Sequence, residues 1–281
     1  MLQIRTMTAA DIPLGLRLKS QAGWNQIAAD WQRMLAMQPD GCFVAELDGI
    51  AVGTSVACIF GSVAWIAMVL VEESVRGRGI GKALMQHALE FVDQSGVASV
   101  RLDATPLGQP LYERLGFLPQ YALTRFAGCA SEAKRSDVQL DVRLAQSADV
   151  QPILELDYAV TGADRRRLLL RLLHEQPQRS QVAFWGEQLA GFITVRPGSN
   201  AWQIGPCIAQ SDVGPTLMRR ACGQVVGEAL LIDIPEPNKP ATQWAVDAGL
   251  QRQRRLLRMC RGAMVSDDIS CLWASSGPEL G

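Results

Sequence analysis

The alternation Leu2-Gln3-Ile4-Arg5, apolar and polar in turn, has the period of a half-buried strand, and the chain opens on it. Helical periodicity follows through residues 8–37. Apolar runs at 42–47 and 51–60 flank Asp48-Gly49, a hairpin turn signal. Ala64 to Val71 is apolar throughout, as in a strand covered on both faces. The glycine-rich stretch Val71-Glu-Glu-Ser-Val-Arg-Gly-Arg-Gly-Ile-Gly81 comes next, and then Ile80, Ala83, Leu84, His87, Ala88 and Phe91 fall at helical spacing. The pattern predicts, in order, a strand, a helix pair, two antiparallel strands, a long strand, a loop, a helix, a strand, a short helix and a final strand. These lie near 2–6, 8–37, 42–47, 51–60, 63–71, 79–94, 98–103, 108–115 and 118–127.

The same pattern is written twice. Gln3-Ile4-Arg5 followed by Ala10-Asp11-Ile12 returns as Asp141-Val142-Arg143 followed by Ala148-Asp149-Val150. Val44-Ala45 and Gly53 return as Val182-Ala183 and Gly191 around a second turn, Gly186-Glu187, and Ala64-Trp65 returns as Ala201-Trp202. Between the copies, Gly128 to Gln139 is rich in small and charged residues without apolar periodicity, a linker composition. The division expected is therefore 1–127, a linker at 128–139, and 140–281. The second copy replaces the glycine-rich stretch by Ser211-Asp212-Val213-Gly214-Pro215, and Ala245 aligns with Tyr112. In that copy Asp164 is expected near a helix start, with Arg165, Arg166 and Arg167 solvated or at a contact between the copies.

Composition narrows the class. The 281 residues are 48% hydrophobic with a formal net charge of -1, which fits a globular protein and gives no sign of nucleic acid or an anionic membrane as partner. Seven cysteines are scattered singly and only two histidines are present, so reduced thiols used as small hydrophobes are expected, with no metal. No run of about 18 apolar residues occurs and the start lacks a signal-peptide pattern, so a cytoplasmic location is expected.

Three glycines at alternate positions before a helix, Gly77, Gly79 and Gly81, let the backbone approach a ligand and turn successive N–H groups toward it, and the helix dipole adds partial positive charge. Such a loop suits phosphate. Its spacing fits neither a P-loop, since Lys82 is followed by Ala83, nor a dinucleotide fingerprint, which needs glycine where Lys82 stands. Arg76-Gly77-Arg78-Gly79-Ile80-Gly81 instead resembles the Q/R-x-x-G-x-G/A motif of the GCN5-related N-acetyltransferases. Leu111-Tyr112-Glu113-Arg114-Leu115-Gly116-Phe117 is similar to that family's L-Y-x-x-x-G-F signature at the expected distance, and the likeness covers residues 1–127. The resemblance implies an α/β (α+β) fold of two tandem units, each a mixed, mostly antiparallel sheet flanked by helices, the second degenerate.

It also implies acetyl-CoA as cosubstrate. The loop Arg76, Gly77, Arg78, Gly79, Ile80, Gly81 and Lys82 would hold its pyrophosphate, and backbone groups of Val69 and Val71 its pantetheine. Tyr112 stands where the family's general acid stands. The strand positions where many relatives carry a base are Trp65 and Ala67 here, which leaves Glu72 and Asp103 as candidate bases, beside a water chain. Trp24 and Asn25, on the helix pair that overhangs the amine side, are expected at the acceptor site. Helical spacing places His87 in packing, and His174 reads as a helix-end residue. Cys42 and Cys58 lie in expected strands without a histidine nearby in sequence, so no acyl-carrying nucleophile is indicated. The expectation is an N-acetyltransferase acting on a small-molecule or peptide amine by direct attack. The alternative is a non-catalytic acyl-CoA-binding or sensing protein.

Overall fold

The computed structural model describes residues 1–129 and 140–281. The first half contains β1 (Leu2–Thr6), α1 (Ile12–Gln21), α2 (Ala28–Met37), β2 (Cys42–Leu47), β3 (Ile50–Phe60), β4 (Val63–Val71), α3 (Ile80–Gln94), β5 (Ser99–Ala104), α4 (Gln109–Arg114) and β6 (Leu118–Cys129). The second half repeats the order with β7 (Asp141–Leu144), α5 (Val150–Thr161), α6 (Arg166–Glu175), β8 (Gln181–Trp185), β9 (Gln188–Arg196), β10 (Trp202–Ala209), α7 (Gly214–Gly223), β11 (Ala229–Pro235), α8 (Lys239–Asp247) and β12 (Gln251–Gly262). A further strand, β13 (Leu272–Ala274), has no counterpart in the first half.

The repeat reaches down to single side chains. Arg5 donates to both oxygens of Asp11 at 2.9 and 2.8 Å while Asp11 accepts from the Thr8 amide at 2.8 Å. Arg143 does the same to Asp149 at 2.6 and 2.8 Å, and Asp149 accepts from the Gln146 amide at 2.7 Å. Each pair ties the first strand of a half to the turn that starts its first helix.

All strands join one sheet in the order β1-β2-β3-β4-β5-β12-β6-β11-β10-β9-β8-β7, with β13 added at β10. The halves therefore exchange their last strands. β12 pairs with β5 of the first half from Leu257 to Gly262, and β6 pairs with β11 of the second from Leu123 to Cys129. β12 and β6 also pair with each other, which closes the join. Gly128 and Cys129, expected in the linker, extend β6 opposite Leu230 and Ala229, because the exchanged partner strand offers them ladder hydrogen bonds that composition does not reveal. The rest of the expected linker lies outside the described residues.

The cores follow the exchange. Under α3, whose buried face is Ile80, Leu84, Met85, Ala88, Leu89 and Val92, the cluster takes in Met259 from β12. The cluster beneath α1 and α2 takes in Ala163, Leu168, Leu172 and Leu280 of the second half. Arg165, expected to be solvated, is buried: it donates to both oxygens of Asp157 at 3.0 and 2.5 Å and to Ser276 at 2.9 Å. Burying a guanidinium is tolerated here because the partner carboxylate satisfies it bidentately. Arg167 reaches the carbonyls of Met37 at 2.7 Å and Ile59 at 3.1 Å, making a contact between the halves.

Candidate functional site

β4 pairs in parallel with β5 only through Val63, Ala64 and Trp65; beyond that the two strands part. A bulge in β4 lies in this stretch. Met68 adopts φ +53°, a left-handed conformation that costs a residue with a Cβ about 1–3 kcal/mol. The Thr54 hydroxyl donates to the Met68 carbonyl at 2.8 Å, and the buried Met68 side chain is packed in the core. The second half builds the same device: Thr194 donates to the Gly205 carbonyl at 2.8 Å.

The parting of β4 and β5 opens a cavity of about 660 Å³. One end is the loop before α3. Gly77 (φ +79°) and Gly79 (φ +80°) take left-handed conformations that L side chains rarely adopt, and nothing lies within 4 Å of a Cβ built at either. The first N–H groups of α3 lack intrahelical partners and point into this space, with the positive end of the helix dipole behind them. Arg78 and Lys82 form no ion pair among the described residues. Arg76 serves the loop itself, donating to the Val71 carbonyl at 3.0 Å and to Glu73 at 3.2 Å. Val69 and Val71 line the cavity on the stretch of β4 that β5 leaves unpaired.

Across the cavity from β4, α4 presents Tyr112. Its ring packs over Gly108 and edge-on to Phe117, with centroids 6.1 Å apart. The hydroxyl has no hydrogen-bond partner among the described residues, and burial pushes the phenol up to about 12, so it stays protonated at neutral pH.

The two expected carboxylates lie elsewhere in the chemistry. Glu72 is outside the cavity lining and accepts from Arg17 at 3.1 Å and from Gln21, which fastens α1 to the end of β4. Asp103 touches the cavity, but both its oxygens accept from Arg258 of β12 at 2.9 Å. Trp24 lines the cavity, whereas Trp31 is wholly in the core. Asn25 is directed at the second half: its amide nitrogen donates to Ala201 at 2.9 Å, and its oxygen accepts from the amides of Asn200 and Ala201 at 2.9 and 3.1 Å. Its neighbour Gln26 faces the cavity instead. His87 packs edge-on to Phe43 on α3, with ring centroids 4.6 Å apart, and His174 ends α6.

The far wall was not foreseen from the sequence. Arg254 and Leu256 of β12, and Pro278 and Glu279 of the C-terminal segment, complete the cavity from the second half. Pro278 accepts from the Trp65 indole at 3.1 Å, and Glu279 accepts from Gln26 at 2.8 Å and Arg196 at 2.5 Å. Arg254 and Leu256 reach the loop on the exchanged strand β12, and Pro278 and Glu279 reach it on the segment that follows β13.

The second half's own cleft is filled. β10 pairs with β11 at Trp202 to Ile204, and where those strands part, β13 pairs with β10 at Cys207 and Ile208. Trp273 of β13 is fully buried against the start of α7; a Cβ on Gly214 would meet its indole at 2.0 Å. The indole thus fills the place corresponding to the open space before α3.

The start of α3, the parted strands β4 and β5 and the Tyr112 phenol all open onto one cavity. The acetyltransferase (GNAT) family model matches residues 16–117, and an acetyltransferase (GNAT) domain model matches residues 153–274. The chain belongs to the GNAT acetyltransferases and carries two such domains in tandem. It is similar to the uncharacterized N-acetyltransferase YitH of Bacillus subtilis, 24% identical over 84% of this chain and 83% of that protein. It is also similar to the holothin acyltransferase of a Pseudoalteromonas species, 23% identical over 92% of this chain and 87% of that one. Among solved structures, a candidate acetyltransferase from Pyrococcus horikoshii shares the fold with a TM-score of 0.85 at 23% identity, covering 100% of this chain and 96% of that chain. A tandem GNAT protein from the clavulanic acid biosynthesis pathway matches with a TM-score of 0.69 at 16% identity, covering 95% and 100%.

Proposed function

We propose that the protein is an N-acetyltransferase that binds one acetyl-CoA in its first half and transfers the acetyl group to a primary amine by direct attack in a ternary complex. The observation that carries this reading is the shared cavity: the glycine loop at the start of α3 and the unpartnered hydroxyl of Tyr112 open onto the same space. Acetyl-CoA would supply an activated acetyl thioester. The open space before Gly77 and Gly79 fits its pyrophosphate, with N–H groups of residues 77–82 as donors and Arg78 and Lys82 as added charge. Val69 and Val71 offer backbone groups along β4 to the pantetheine arm.

Tyr112 would donate its proton to the departing thiolate; its hydroxyl is protonated at neutral pH and has no protein partner among the described residues to compete for that proton. Neither Glu72 nor Asp103 is assigned a proton-accepting role, since each is bonded to an arginine, and Glu279 is held by Arg196. The amine proton leaves through water at the cavity mouth, so the pH at which kcat/KM rises should move with the acceptor's own pKa. Direct attack is supported by the state of the two thiols of β2 and β3: burial pushes Cys58 up to about 12 and Cys42 higher still, away from the thiolate an acyl carrier needs.

Calorimetric titration of acetyl-CoA, followed by thioester consumption with a panel of primary amines, tests the reading. Gly79→Leu should abolish the binding heat. Binding without turnover on any amine would favour a sensing role instead.

A further inference from the structure

The acceptor end of the cavity holds a charged group that nothing in the protein uses. The Arg254 side chain lines the cavity and, among the described residues, makes neither an ion pair nor a hydrogen bond; its Nε is fully buried without a partner, and its terminal nitrogens, equally unpartnered, are left accessible. Every neighbouring carboxylate is already engaged. Asp233 accepts from Arg125 at 2.7 Å on both oxygens, and Glu279 accepts from Arg196 on one oxygen and Gln26 on the other. Burial and the adjacent Arg125 pull the guanidinium down to about 10, the mark of a cation held without adequate compensation. A buried donor left unpaired costs about 1–3 kcal/mol, and a ligand that satisfies it recovers that cost.

Gln26 turns its NH2 group toward the Glu279 carboxylate, which fixes the amide orientation and leaves Oε1 covered by protein, so Gln26 holds Glu279 rather than a ligand. The cavity end therefore offers one unused cationic donor beside a carboxylate that is already engaged. A molecule carrying an oxyanion as well as an amine answers it.

We propose that the acceptor is an amine bearing its own anionic group, a carboxylate or phosphate, with the oxyanion bound by the terminal nitrogens of Arg254 and the amine left free to attack the thioester. This deepens the N-acetyltransferase reading and rests on it for which end of the cavity receives the acceptor. It makes the second half, through β12 and the segment holding Glu279, the part of the chain that selects substrate.

The test compares amines that differ only in the anion: lysine with 1,5-diaminopentane, histidine with histamine, phenylalanine with phenethylamine, and O-phosphoethanolamine with ethanolamine. Binding is read from tryptophan fluorescence, since Trp24 lines the cavity, with CoA present so that no turnover is required. At least one anionic member should bind the wild type about tenfold or more tightly than its partner, a gap of about 1.4 kcal/mol. The phosphate and amino-acid pairs tell which oxyanion is taken. Arg254→Gln should bring that pair to within about twofold, and Arg254→Lys should keep part of the preference. Equal binding within every pair by the wild type, or an undiminished preference in Arg254→Gln, overturns the proposal. If circular dichroism shows Arg254→Gln unfolded, wild-type discrimination and the Lys variant decide. Acetylation is assayed separately. Arg254-dependent binding without acetylation defeats the transferase reading alone, and acetylation indifferent to the anion defeats this proposal alone.

Discussion

At Tyr112 the phenol ring and its hydroxyl do separable work. The ring packs on Gly108 and Phe117, and the hydroxyl has no protein partner. Tyr112→Phe keeps the packing and removes only the donor, so kcat should fall by about 10²-fold or more while the acetyl-CoA dissociation constant stays within about threefold. Because burial holds the phenol up at about 12, the wild-type rate should show no falling alkaline limb from this group below about pH 10. Unchanged kcat in the Phe variant would remove Tyr112 from the chemistry. Arg258 is the structural counterpart: it joins Asp103 of β5 to Asp267, and also donates to the Tyr121 hydroxyl at 2.8 Å. Arg258→Met strands the fully buried Asp103 carboxylate and should cost about 3–5 kcal/mol in urea denaturation, with Asp103→Leu in the same chain recovering part of it. Strict additivity of the two substitutions would show that the pair is not coupled.

Among the elements, the strand-to-turn staples are where the repeat becomes a pH effect. The Arg5 hydrogen bonds draw Asp11 down to about 2, and those of Arg143 lower Asp149 likewise. A carboxyl depressed in the folded state stabilises the fold above its unfolded value, about 3.9, and that contribution is lost as pH falls through the folded value. Asp11→Ala or Asp149→Ala should therefore cost about 1–2 kcal/mol at pH 7, and the difference from wild type should shrink as pH falls from about 4 to about 2. A gap that persists in acid would mean the staple acts by something other than its charge. Sequence periodicity placed the elements of the first half, including β4, the loop and α3, and the repeat carried the same order to the second, without β13. It could not show which strand neighbours which. β12 is as regular an amphipathic strand as β6, and nothing local says that it lies beside β5. For the same reason the loop could be singled out from its local spacing and Tyr112 from the family motif it resembles, while Gln26, Arg254 and Glu279 carry no local mark. Asn25 was misplaced by one position, the difference between facing the cavity and facing the second half.

The molecule as a whole is one sheet with exchanged strands and cores shared across the halves, so neither half retains a complete sheet or core when the other unfolds. Thermal unfolding should be a single cooperative transition despite two copies of the fold. The same topology settles how many cofactors to expect. The C-terminal segment passes through the second cleft as β13, seats Trp273 at the start of α7, and continues into the first cavity as Pro278 and Glu279. One segment fills the second cleft and completes the open one. Acetyl-CoA should therefore bind at one site per chain by calorimetry, and saturation at 100 times its Kd should add about 2.7 kcal/mol of stability. Spread over the unfolding entropy of a chain this long, that raises the midpoint by about 5 °C. The whole transition should move, because the site in the first half is lost together with the sheet that both halves share. Two transitions with only one responding to ligand would show that the halves unfold separately in spite of the exchange, and a stoichiometry of two would show that β13 gives way to ligand.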